Sequence, residues 1–233
     1  MMLIATTVAI AFVASTASTA FAAFAAGAAA PASSDAVPPM IVTVSVDADM
    51  SPAVVQAVLA EADAMWRPSG ISFVWQHTPR ATPPYARAAA AAPYLPNTLH
   101  LTIGESRGAG LNGRLPLGWI MFDGTTTPGQ EIYLSYANAR QILEEARGVV
   151  GLIDQMPVLQ RQTLLSRAMG RALAHELGHY LLASKVHTQR GLMKAVMTAV
   201  ELFMPDSRRF RIEPAQRRAV AARLRGEPLV ASR

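Results

Sequence analysis

The stretch HELGHYLLASKVHTQRGLM, residues 175–193, holds three of the five histidines in a 233-residue chain: His175, His179 and His187, with Glu176 beside the first. His175 and His179 are four apart, so on a helix their rings lie on one face, one turn above the other. Two imidazoles so placed can reach one zinc ion at about 2.0–2.1 Å each. Glu176 is rotated by about 100° from His175, which puts it at the border of such a site and outside the ligand set. That is the place for a general base acting on a zinc-activated water, the chemistry of an H-E-x-x-H helix.

A catalytic zinc takes three protein ligands and keeps one position open. His187 is the nearest candidate, eight residues after His179. On an unbroken helix it would lie about 12 Å further along the axis. The chain must therefore leave the helix soon after His179 and fold back, and Ala183-Ser184 is where the break is expected. Neither glycine nor proline lies between Tyr180 and Val186 to enforce it; Gly191 supplies a turn only further on. A carboxylate from a following helix is the alternative third ligand, and Glu201 in AVELF, 22 residues after His179, could supply it.

These residues resemble the metzincin-type zinc peptidases, whose zinc helix carries H-E-x-x-H, with a third histidine after a chain reversal and a methionine-containing turn under the metal. The resemblance implies His175, His179 and His187 as zinc ligands, Glu176 as the catalytic base and Met193, in RGLM, as the turn methionine. Where that family places its glycine and third histidine, this chain has Leu182 and Lys185, and His187 comes two residues later, so the resemblance is to a divergent branch. It implies a zincin-like α+β fold, a twisted mixed sheet packed on helices with a long zinc-binding helix. It also implies a zinc metallopeptidase, an endopeptidase, whose peptide or protein substrate lies extended along an edge strand. Strand 119–123 or 131–136 would supply that edge. The reading from another class is a non-catalytic zinc-containing binding protein of the same fold.

The positioning elements can be read from hydropathy periods. IVTVSVD (41–47) alternates, with Val42, Val44 and Val46 on one face. Ser51-Pro52 caps a helix whose apolar face runs Val55, Val58, Leu59, Ala62, Met65 and Trp66, and Pro68-Ser69-Gly70 ends it. ISFVWQH (71–77) is a second strand, with His77 at its end in a structural position. TPRATPPYARAAAAAPYLP (78–96) reads as a surface loop. TLHLTI (98–103) turns Leu99, Leu101 and Ile103 inward and His100 to the opposite face. After a Gly-rich loop (104–118), WIMFD and EIYLSY flank the turn-rich GTTTPGQ and suit an antiparallel pair. Helices are expected over 137–147, from Pro157 to Leu182, and from Glu213-Pro214 to Gly226. This order argues for one α+β domain over 38–233.

Composition narrows the function further. With no cysteine, disulfides, thiolate ligands and a cysteine nucleophile are excluded. Residues 1–34 carry no charge, and the apolar run 3–14 followed by small residues resembles a secretory signal peptide, about 1–30, although its length would also serve a membrane anchor. A secreted or periplasmic protein is expected, bound to a membrane only if this segment is retained. Positive charge concentrates at 208–225, with seven arginines and one glutamate. Only Phe210 interleaves with them, so a solvated terminal helix is expected and not a nucleic-acid surface.

Overall fold

The computed structural model describes residues 37–78, 98–108, 115–124 and 127–226. The expected signal peptide or anchor, nearly all of the 78–96 loop, and residues 109–114 and 125–126 of the loops around WIMFD lie outside the described residues. The described part belongs to a unit that starts at Val37.

Five strands form one mixed sheet: β1 (Met40–Val46), β2 (Phe73–His77), β3 (Thr98–Gly104), β4 (Gly118–Asp123) and β5 (Thr127–Ser135). Their spatial order is β2-β1-β3-β5-β4. The first four run parallel, and β4 returns antiparallel to β5. β4 is therefore an edge strand, whereas β5 is paired on both sides.

The helices are α1 (Pro52–Trp66), α2 (Tyr136–Glu145), α3 (Arg147–Val150), α4 (Val158–Leu182), α5 (Ala199–Phe203) and α6 (Pro214–Leu224). The core lies between α1, α4 and the sheet face formed by Val42, Val44, Leu99, Leu101, Ile103, Ile132 and Leu134, all buried. The opposite face carries Thr43, Ser45 and a half-buried His100, as the alternation predicts.

Local chemistry sets the element ends. The Ser51 hydroxyl accepts from the Val54 N–H and Pro52 opens α1. Ser135 caps α2 through the Asn138 N–H. The buried Asn138 amide then donates to the Arg107 and Pro116 carbonyls, at 2.9 and 2.8 Å, tying together both ends of the loop that leads into β4. The expected helix over 137–147 is two pieces, with Ala146 between α2 and α3. In the Arg-rich tail, Val220 and Phe210 are buried, and the Arg223 guanidinium lies over the Tyr180 ring at 5.6 Å. The tail covers the end of α4, with most of its arginines outward. Among the described residues no helix is long and apolar enough to cross a membrane.

Candidate metal centre

α4 runs for 25 residues, and from Ala168 to Leu181 every side is buried. A helix buried all round belongs in the middle of a fold, and its buried polar side chains must find partners there. Two side chains, Trp66 and Arg171, fix its rotation. The Trp66 indole N–H donates to the Ala174 carbonyl at 3.1 Å, one residue before His175. Arg171, one turn earlier and fully buried, donates to Glu61 of α1 at 3.0 Å and to the Glu201 carbonyl, while Phe210 stacks on its guanidinium at 4.7 Å.

The helix stops at Ala183, whose φ of 47° and ψ of 44° are left-handed. Among the described residues it is the one non-glycine with positive φ. Its N–H and that of Ser184 satisfy the His179 and Tyr180 carbonyls, so the reversal is hydrogen-bonded without a glycine. Such a conformation costs an L-residue roughly 1–2 kcal/mol.

The reversal brings His187 back to the other two rings. The ligand nitrogens of His175, His179 and His187 all lie within 4.8 Å of one another, and this is the one such grouping among the described residues. His179 Nε2 is 3.0 Å from His175 Nε2 and 3.2 Å from His187 Nε2. On the far side of each helical ring, Nδ1 meets a backbone carbonyl: Leu192 at 2.8 Å for His175 and Ser184 at 2.6 Å for His179. A carbonyl only accepts, so both Nδ1 atoms carry the proton and both Nε2 atoms present lone pairs. Two acceptors facing each other at 3.0 Å repel unless a cation lies between them. Two nitrogens at zinc bonding distance are about 3.3–3.4 Å apart at a tetrahedral angle, a few tenths of an ångström beyond the spacings of these two pairs. The donor set fits zinc.

Electrostatics agree. Burial pushes the His175 ring down to about 4, with the neighbouring imidazoles adding to the shift and the Leu192 carbonyl opposing it. Burial also lowers His179 and, through partial burial of its ring, His187. All three are neutral at pH 7, the form that binds metal. His187 is the exposed member, so the cluster opens to solvent on its side.

Glu176 points to the edge strand. Burial raises its carboxyl to about 8, against a hydrogen bond from the Ile120 N–H of β4. A cation on the adjacent rings would oppose that rise. Further along β4, the Phe122 and His179 rings lie nearly perpendicular, their centroids 6.4 Å apart.

The loop under the cluster is held from both sides. Met193 is fully buried, and its Sδ would lie 2.2 Å from a Cβ placed on Gly178, so glycine in the helix is what lets the methionine in. Gly191, with φ 81°, passes so close to the Arg211 carbonyl that a Cβ would sit 2.5 Å from it. The Leu192 N–H donates to that same carbonyl, and the Thr188 N–H to the Met193 carbonyl. These bonds aim the Leu192 carbonyl at His175.

Glu201 is engaged elsewhere. Both its oxygens lie 2.8 Å from Lys194 Nζ, and it forms a capping box with Thr198 at the start of α5. His77 is exposed at the end of β2, with its Nε2 3.1 Å from Gln56, away from the cluster. Sequence reasoning missed the Ser184 and Leu192 carbonyls, which carry no side-chain signal, and Arg171, which shares its helix face with Arg167 and His175 one turn to either side and so did not stand out.

No protein-family model matches this chain, and no curated protein matches it in sequence. Among solved structures it is similar to archaemetzincin from Methanopyrus kandleri, at 16% identity and a TM-score of 0.45, over 84% of this chain and 99% of that one.

Proposed function

We propose that this chain is a zinc-dependent metallopeptidase with His175, His179 and His187 as zinc ligands and Glu176 as the catalytic base. One observation carries the reading: three imidazoles converge, two with their outer nitrogens held by carbonyls, and the buried carboxyl next to His175 in the chain reaches the Ile120 N–H of an edge strand. When bound, zinc acts as a Lewis acid and makes a water molecule acidic near neutral pH. Glu176 Oε takes a proton from the attacking water and passes it to the leaving amide nitrogen. The free edge of β4 binds the peptide in extended form by main-chain hydrogen bonds. Gly178 and Met193 keep the floor in place. The N-terminal apolar segment directs the protein to the periplasm or outside the cell.

The test is metal analysis and peptide cleavage on the full chain. Glu176→Ala is expected to keep one zinc per chain and to lose cleavage by at least about a hundredfold. Cleavage that survives the substitution refutes the role given to Glu176. Zinc retained without any cleavage by the unaltered protein favours the non-catalytic binding protein.

A further inference from the structure

Lys185 follows the reversal directly, in the loop that delivers His187. Its Nζ donates to the Gly124 carbonyl at the end of β4, at 2.7 Å, and lies over the Phe122 ring at 5.2 Å. The order along β4 is informative. Glu176 meets Ile120, His179 meets Phe122, and Lys185 meets Gly124. A peptide lying along that strand would pass the carboxyl, then the imidazoles, then the ammonium.

The ammonium is held in place and its charge is not offset. One N–H goes to a neutral carbonyl and one face to a ring; among the described residues no carboxylate pairs with it. The other lysine of the chain, Lys194, is by contrast neutralised by Glu201. A lysine has three donors, so Lys185 keeps donor capacity for a ligand. These two contacts place the ammonium beside β4 before any ligand arrives, which lowers the entropic cost of pairing.

We propose that Lys185 is a specificity-determining residue, pairing with a carboxylate of the bound peptide on the Gly124 side of the metal cluster. This rests on the metallopeptidase reading for its substrate. β4 is extended from Ile120 to Asp123, about 10 Å, and Gly124 follows it in a turn. The acid therefore sits two or three residues from the bond that is cut. Two sources share this chemistry: an Asp or Glu side chain, and the carboxylate at a peptide's C-terminus.

The experiment uses zinc-loaded full chain and alanine-based octapeptides, blocked at both ends, with one Glu, Gln or Lys scanned along them. A second set leaves the C-terminus free. Cleavage is read by mass spectrometry as kcat/KM. Binding of fluorescein-labelled peptides is read by anisotropy on the Glu176→Gln background, which leaves them uncut. At one position Glu is expected to be favoured over Gln about fivefold in both readouts. Lys185→Gln erases the preference, Lys185→Arg keeps it, and Lys185→Glu transfers it to the Lys peptides. Preference appearing only in the free-C-terminus set assigns the carboxylate to the chain end. The same ranking in the unaltered protein and Lys185→Gln, or no acid preference at all, overturns the proposal. If no peptide is cut, the metallopeptidase reading fails, while anisotropy still decides the role of Lys185.

Discussion

Replacing Ala183 with glycine is expected to stabilise the protein. Alanine at φ 47° and ψ 44° bears a left-handed conformation that costs roughly 1–2 kcal/mol. Glycine removes that cost but loses about 0.5–1 kcal/mol through the larger freedom of its unfolded chain. The net gain lies between about 0 and 1.5 kcal/mol, with a midpoint near 0.75, or some 2–3 °C in Tm for a domain of this size. Zinc affinity is expected to be unchanged, because the reversal keeps its path. The assay is urea and thermal unfolding of wild type and Ala183→Gly, each with and without zinc. Ala183→Pro is the opposite perturbation: it fixes φ near −65° and removes the N–H that reaches the His179 and Tyr180 carbonyls. It is expected to cost about 3 kcal/mol and to release His187 from the cluster. Destabilisation of Ala183→Gly by 0.5 kcal/mol or more, outside the error of the melts, would refute the left-handed turn on which the third ring depends.

Other residues give independent checks. Arg171→Met leaves the Glu201 carbonyl and Glu61 without their buried partner and is expected to lower unfolding stability by about 3 kcal/mol. Glu61→Ala is expected to cost at least as much in denaturant melts, because a buried guanidinium is then uncompensated. Glu201 titrates low, at about 2: burial alone would raise it, but hydrogen bonds from Lys194 and Thr198 outweigh that. Its folded value lies below its unfolded one near 4.5, so its stabilisation is present above pH 4.5 and is lost as pH falls towards 2. Stability curves of wild type and Glu201→Gln are therefore expected to converge between pH 4.5 and 2, and parallel curves would contradict this.

Several parts of the fold were readable from residue periods alone. The alternations Val42-Val44 and Leu99-Leu101-Ile103 mark the buried sheet face because a strand repeats every second residue. The i, i+4 pair His175 and His179 is legible for the matching reason on a helix. Which strand forms the edge was not legible, since 119–123 and 131–136 have similar hydropathy; the order β3-β5-β4 is set by β5 pairing on both sides. The reversal at Ala183 had no glycine to announce it, because hydrogen bonds from its own and the next N–H hold a residue type that does not favour the turn. The short α5 entered the sequence reading only as the following helix that offers Glu201, since five residues carry too little periodicity to bound it; its capping box, Thr198 to Glu201, was the available signal. That box, with Lys194, is also what engages both carboxylate oxygens of Glu201.

The claim that three imidazoles surround one metal ion is tested most directly by zinc X-ray absorption with zinc titration, on wild type, His187→Ala and Glu201→Gln. Wild type and Glu201→Gln are expected to show three histidine nitrogens at about 2.0–2.1 Å. His187→Ala is expected to show two, with affinity lower by about a hundredfold or more. An unchanged zinc shell in His187→Ala, or loss of zinc in Glu201→Gln, would contradict the proposed centre.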